Sequence, residues 1–218
     1  MKKIVYLVLH YITIDETTKC IENIRKYNKK NNYEIVIVDN GSPNKTSEKL
    51  LNRYKEEKDI HVILSEKNLG FARGNNLGFK YIKERLNPDF IVMLNNDVYL
   101  LNDNFPIEII NEYKNSKFAV LGPKIYLKNN NVCNFPDKIQ SIKYYKRIMR
   151  VKKILYYFNK FNIRYLFSIY LKLINVIAKK EIINSDIRKE DILLNGCCLI
   201  FSKEYINNFN GIDDRTFL

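Results

Sequence analysis

The stretch Phe90-Ile-Val-Met-Leu-Asn-Asn-Asp-Val98 decides how this sequence is to be read. Five apolar residues, Phe90–Leu94, run without alternation, as in a strand buried on both faces, and the polar Asn95, Asn96 and Asp97 follow at once. Burial on both faces belongs to parallel sheets covered by helices, so the rest of the fold should contain more such runs. Outward from here, Ile4–Leu9, Glu34–Asp39 and His61–Leu64 have the same Val- and Ile-rich character. Between them, Thr17–Lys29, Lys45–Glu56 and Phe71–Glu84 carry apolar residues at helical spacing. The alternation predicts an α/β fold: a mostly parallel central sheet flanked by helices.

Pro43 restricts the entry to the second helix, and Asn44 is placed to cap it. Pro106 opens a helix near Ile107–Lys114. Phe118–Leu121 and Lys124–Leu127, around Gly122-Pro123, predict a bent strand pair. Residues 128–137 are polar and predict a loop; 141–180 is helical in pattern, basic and aromatic. Leu193–Phe201 returns to a strand and Lys203–Asn208 to a short helix.

Composition sets the outer bounds. A chain of 218 residues, 46% hydrophobic and 13% aromatic, can build a substantial core and is not of disordered type. Cys20, Cys133, Cys197 and Cys198 show no metal-ligand spacing, and neighbours on a strand point to opposite faces, so no disulfide framework is expected. That usage suits a reducing cytoplasm. Lys2 and Lys3 before Ile4–Leu9 imitate a signal peptide, yet the run is short and Asp15-Glu16 follows soon after. No segment reaches the ~18–20 apolar residues of a spanning helix. The net charge of +13 is concentrated: residues 141–180 hold eleven Lys and Arg and no Asp or Glu.

In parallel α/β sheets ligands bind beyond the carboxyl ends of the strands. Those ends carry His10-Tyr11, Asp39-Asn40-Gly41-Ser42, Ser65 to Gly70 with Asn68, and Asn95-Asn96-Asp97. Asp39 can accept hydrogen bonds from a pyrimidine N–H or a ribose hydroxyl, although Asp-Asn-Gly is also an ordinary turn. Asp97 can hold a hard divalent cation through oxygen, or cap a helix. A nucleotidyltransferase would need a Gly-rich basic loop after the first strand, and a dinucleotide enzyme would need G-x-G-x-x-G; neither occurs there.

The blocks EIVIVDNGS (34–42), NLGFARGNN (68–76), LNNDV (94–98), GPKI (122–125), NGCCLIFSKEY (195–205) and NGIDDRTFL (210–218) stand in one order. Together they resemble glycosyltransferase family 2, nearest its rhamnosyltransferase-like branch, with a GT-A (Rossmann-like) fold. The resemblance implies one GT-A domain: a nucleotide-binding half at 1–127, a basic helical insert within 128–190 and the start of the acceptor-side half at 191–218. It places His10, Tyr11, Asp39, Asn40, Ser42, Asn68, Gly70, Arg73, Asn95 and Asn96 around a nucleotide-sugar donor. Tyr11 would lie against the base, and Arg73 near the diphosphate. Asn95-Asn96-Asp97 stands where the family has a D-x-D-like motif, so Asp97 is the expected ligand to Mg2+ or Mn2+. Gly196 and Cys197 would face sugar and acceptor.

The implied reaction is inverting transfer from a dTDP- or UDP-linked sugar, such as rhamnose, to a glycan or lipid-linked acceptor in bacterial cell-surface polysaccharide synthesis. The family's general base belongs to a Glu-Asp pair following the block that starts at Gly211, and Leu218 comes first. Asp213 and Asp214 are the carboxylates nearest to it, the base is expected beyond Leu218, and transfer by this chain is expected to be weak. A non-catalytic nucleotide- or membrane-binding module of the same fold is the alternative. Tyr144, Ile148, Val151, Leu155 and Phe158 recur at helical spacing among the basic residues of 141–180. That pattern fits either an anionic membrane surface at the inner face of the cell membrane or helices with a solvated basic face. No nucleic-acid motif accompanies the charge, so nucleic acid is not an expected partner.

Overall fold

The computed structural model describes residues 2–129, 132, 146, 149, 150, 153, 156, 157, 190 and 192–215. Two compact units divide the chain: residues Met1–Pro123 with Leu194–Leu218, and residues Lys124–Leu193.

In the first unit six strands form one sheet. They are β1 (Lys3–His10), β2 (Asn32–Asp39), β3 (Ile60–Leu64), β4 (Phe90–Asn95), β5 (Val120–Leu121) and β6 (Cys198–Ser202), in the order β3-β2-β1-β4-β6-β5. The first four are mutually parallel, and β6 runs antiparallel to both β4 and β5. The helices are α1 (Ile14–Asn28), α2 (Thr46–Tyr54), α3 (Gly70–Arg85), α4 (Phe105–Ser116) and α5 (Lys203–Asn208). This is the mixed α/β GT-A architecture expected for the chain.

The unbroken apolar runs are explained by burial on both sides. On one face, Val5, Leu7, Val36, Val38, Ile91 and Met93 join Phe79 and Ile82 of α3 in a core cluster. On the other, the fully buried Tyr6 donates its hydroxyl to Asn28 of α1 at 2.9 Å. Helix α1 buries Thr17, Cys20, Ile21, Ile24 and Asn28, a stripe at helical spacing, and has Asp15 and Glu16 in its first turn and Arg25 and Lys26 in its last, matching the helix dipole. Helix α3 meets the strands closely at two glycines of its contact face, Gly74 and Gly78. A Cβ at Gly78 would collide with Leu7 and come within 2.6 Å of Val38 Cγ2, and one at Gly74 would lie 2.8 Å from Leu9 Cδ1.

Three local expectations are corrected. The predicted strand pair around Gly122-Pro123 is absent: Val120–Leu121 pairs with β6, and Tyr126 makes only an isolated bridge to Val132. The late strand begins at Cys198, not Leu193, because Asn195 Oδ1 accepts the Cys197 N–H at 3.0 Å and turns the chain first. Asn44 does not cap α2; the cap position is Lys45, in a left-handed conformation, and Asn44 instead donates to the Ile12 carbonyl at 2.9 Å.

In the second unit, Lys124 Nζ lies 5.2 Å from the Tyr126 ring centroid, and Lys146, Met149, Arg150, Lys153, Tyr156 and Tyr157 are helical and exposed. The helical spacing predicted from Tyr144, Ile148, Val151, Leu155 and Phe158 lies outside the described residues, as does Cys133. Among the described residues no helix is long and apolar enough to cross a membrane.

Candidate functional site

The strand order reverses at β1, with β2 and β3 on one side and β4 on the other. Such a switch point opens a crevice at the carboxyl edge, and the register places His10 opposite Asp39 and Leu9 opposite Asn95. The antiparallel β6 is what brings the late sequence to this edge: its first residues lie beside the last of β4, and Asn95 N–H donates to the Cys197 carbonyl at 3.0 Å. Gly196 stands next to Phe71 at the start of α3, where an added Cβ would sit 3.8 Å from the ring.

Side chains tie the loops together. After β1, Tyr11 is 39% exposed, and Ile12 adopts a left-handed backbone (φ 67°) that a β-branched residue rarely takes. Two contacts hold it: Ile12 N–H donates to Ser42 Oγ at 2.9 Å, and its carbonyl accepts from Asn44. After β2, Asp39 is only 2% exposed; its Oδ2 accepts the Ser42 N–H at 3.3 Å, while Oδ1 is buried without a hydrogen-bond partner. Asn40 organises the start of α3, accepting from Leu69 N–H at 2.9 Å and donating to Asn68 Oδ1 at 3.1 Å and the Gly70 carbonyl at 3.2 Å. Asn68 Oδ1 also accepts the Gly70 N–H at 2.8 Å.

The loop after β4 is held from below by α1. Asn96 Nδ2 donates to Thr13 Oγ1 and Thr17 Oγ1, each at 2.9 Å. Asn23 clamps Leu100 through both backbone groups, at 2.7 and 3.1 Å. Cys20 donates its thiol to the Val98 carbonyl at 3.4 Å; burial, with a smaller contribution from the charge of Asp97, pushes that thiol up to about 12, so it stays protonated. Asp97 itself is exposed at the loop's outer edge.

The predicted residues therefore separate by role. Tyr11, Arg73, Asp97, Asp213 and Asp214 are exposed, and Ser42, Asn95, Asn96, Gly196 and Cys197 are partly so. His10 is 0% exposed, with Nδ1 2.7 Å from Thr17 Oγ1 and Nε2 2.9 Å from Thr46 Oγ1, so it stands behind the site instead of facing a ligand. Asp39, Asn40 and Gly70 are likewise buried in the frame, whereas Asn68 is exposed. Asp213 is paired with Arg215, whose Nε lies 2.9 Å from Oδ1; the Arg215 side-chain and backbone hydrogen bonds pull the carboxyl down to about 2, which makes it a weak proton acceptor. Thr17, Thr46, Asn23 and Asn76 are structurally central yet escaped the sequence reading. Isolated polar residues within amphipathic helices carry no periodic signal of burial.

Among the described residues no group of three or more His, Cys, Asp and Glu gathers to hold a metal ion. One carboxylate, Asp97, stands here with the amide oxygens of Asn95 and Asn96 beside it in sequence. This hard, oxygen-only donor set fits Mg2+ or Mn2+ when a diphosphate and water complete the coordination.

A sheet with a switch-point crevice bordered by polar loops places the chain among the α/β proteins that bind ligands at the carboxyl ends of their strands. Residues 8–173 match the family described as Glycosyl transferase family 2, and the chain belongs to that family. It is 29% identical over 92 residues to the low-salt glycan biosynthesis hexosyltransferase Agl10 of Haloferax volcanii, covering 42% of this chain and 28% of that protein. Its fold is similar to that of the mannosyltransferase PcManGT from Pyrobaculum calidifontis in complex with GDP-Man and Mn2+ (TM-score 0.53, 10% identity), covering 98% of this chain and 48% of that one. S. aureus TarS 1-349 in complex with UDP-GlcNAc matches at TM-score 0.48 and 17% identity, over 61% of this chain and 37% of that one. The chain thus spans less than half the length of each of these proteins.

Proposed function

We propose that this chain forms the donor-binding part of an inverting glycosyltransferase that uses a nucleoside-diphosphate sugar. The observation that carries the reading is the convergence of Tyr11, Asp39 and the Asn95–Asp97 loop at one switch point, with their loops hydrogen-bonded to one another. Asp39 and Tyr11 recognise the nucleoside, Ser42 and Asn68 shape the turns around it, and Arg73 meets the diphosphate. Asp97 would hold a divalent cation, Mg2+ or Mn2+, which when bound neutralises charge on the departing nucleoside diphosphate. Gly196, Cys197, Asp213 and Asp214 border the acceptor side, where a hydroxyl attacks the anomeric carbon opposite the leaving group. Because its pairing with Arg215 leaves Asp213 weakly basic, Asp213 orients the acceptor instead of taking its proton.

The donor we propose is dTDP- or UDP-linked, with rhamnose as the sugar suggested by the sequence blocks, and the acceptor a glycan or lipid-linked saccharide. The eleven Lys and Arg of 141–180 would meet an anionic membrane surface, as suits a lipid-linked acceptor. A thermal-shift panel of UDP-, dTDP- and GDP-linked sugars, with and without Mg2+ or Mn2+, tests the donor reading, since a ligand of the folded state raises its apparent stability. The expected outcome is a shift that needs nucleotide and cation together and whose metal-dependent part is lost in Asp97→Ala. An unchanged metal response in that variant removes Asp97 from the role. Sedimentation with anionic and neutral vesicles tests the membrane surface; no lipid-dependent binding at low salt rejects it.

A further inference from the structure

Beneath the site lies a buried polar chain that the donor-binding reading does not use. It crosses three neighbouring strands. Asp39 Oδ1, at the end of β2, has no hydrogen-bond partner and lies 3.7 Å from His10 Nε2. His10, at the end of β1, bonds through Nδ1 to Thr17 Oγ1 at 2.7 Å. Thr17 Oγ1 accepts from Asn96 Nδ2 at 2.9 Å, in the loop following β4 and next to Asp97. Thr46 Oγ1, 2.9 Å from His10 Nε2, adds the start of α2 to the same cluster, and it donates onward to Asn44 Oδ1 at 2.7 Å.

We propose that His10 is a positioning residue that couples the buried Asp39, at the base of the Asp39–Ser42 turn, to the Asn95–Asp97 loop, so that the two arms of the site share one register. The proposal rests on the donor-binding reading for its purpose, but not for its geometry. A ring with two nitrogens at fixed separation is suited to the task. One nitrogen meets the threonine that carries Asn96, and the other faces the carboxylate and the threonine of α2. His10 and Thr17 are fully buried and Thr46 and Asp39 nearly so, which shields these contacts from bulk solvent. Buried networks of this kind transmit a displacement, since breaking one link leaves the next group unpaired in a low dielectric. The 3.7 Å approach of Asp39 is the longest contact of the chain, and the two 2.9 Å bonds of Asn96 are among the shortest.

A double-mutant cycle between Asp39→Asn and Asn96→Ala, read by urea unfolding of the full chain without ligand, tests the coupling. The expected result is a combined change in the unfolding equilibrium constant that differs from the product of the single changes by about threefold or more. In a His10→Asn background, which removes the imidazole nitrogen that faces Asp39, the factors should multiply to within about twofold. Additivity with His10 present overturns the proposal, as does coupling that persists in His10→Asn. If a variant does not fold, imidazole nitrogen NMR of the remaining single variants decides. The chain has two histidines, so His61 is an internal control. Asn96→Ala and Asp39→Asn should each move the His10 ring signals and leave those of His61 in place; an unmoved His10 overturns the proposal. UDP and dTDP, each with Mn2+, added to the unaltered chain, separate the two readings. Absence of UDP and dTDP binding rejects the donor site, while the ligand-free cycle still judges His10.

Discussion

Gly41 has little freedom. Its φ of +70° is a conformation that side chains rarely adopt, and a Cβ there would collide with the Lys67 carbonyl carbon and lie 2.6 Å from Asn68 N. Gly41→Ala should therefore destabilise the chain by about 1–3 kcal/mol, seen as a lower urea midpoint with unchanged slope. Asp39 makes a different test. Asp39→Asn keeps the shape and leaves an oxygen for the Ser42 N–H, while removing a buried charge. We expect the fold to persist and affinity for the nucleotide to fall about tenfold or more, measured by calorimetric titration with UDP and dTDP, in line with the loss of a charge-assisted hydrogen bond.

Elements position the site by clamps. Asn76, on α3, binds Ile212 twice: Nδ2 donates to its carbonyl at 2.8 Å, and Oδ1 accepts its N–H at 2.9 Å. Lys83, further along α3, donates to the Asn207 and Phe209 carbonyls at 3.2 and 3.0 Å, and Tyr205 donates to the Gly211 carbonyl at 2.9 Å. These contacts carry Asp213 and Asp214 to the helix's early turns. Asn76→Ala should release the segment locally, and at about 1 kcal/mol per lost bond the Ile212 amide should exchange roughly ten times faster or more, with core amides unaffected. Gly78→Ala acts on the other side of the same helix. Its methyl meets Leu7 and Val38, so α3 must move off the sheet, and overpacking of this sort costs about 1–3 kcal/mol.

For the molecule as a whole, buried and paired titrating groups set the response to acid. Burial lowers the His10 pKa below the ordinary 6.5, against the opposing pull of Asp39, so the folded state resists protonation. The unfolded chain takes up that proton first, and stability falls as pH drops below 6.5. Glu34 and Asp89 extend the loss. Burial opposes their ionisation, but Lys3 and His61 around Glu34, and Lys2 with the Lys3 N–H around Asp89, hold both below their ordinary values of 4.5 and 3.8. Their stabilisation is present above those values and disappears as pH falls through the lowered folded ones. Urea midpoints should thus be constant above neutrality and decline in two stages on acidification, and His10→Asn should flatten only the upper stage.

Much of this protein is legible in one dimension. Runs such as Phe90–Leu94 and Ile35–Val38 carry no alternation because both their faces are covered, and that alone implies parallel strands under helices. The polar residues that follow each run locate the ligand edge, since a parallel strand must end where its crossover begins. Which of those residues are exposed and which are sealed was decided only by the tertiary structure. His10 and Tyr11 are adjacent in sequence, yet one is sealed between Thr17 and Thr46 and the other is exposed, because β1 ends at His10 and the chain bends out into the loop at Tyr11. The placement of Cys197 beside Asn95, and of Ile212 on Asn76, depends on β6 running antiparallel and on a clamp between residues 136 positions apart. Burial on a strand is a local property of the chain and leaves a local trace. Contacts between distant segments leave none, and they are what assemble this site.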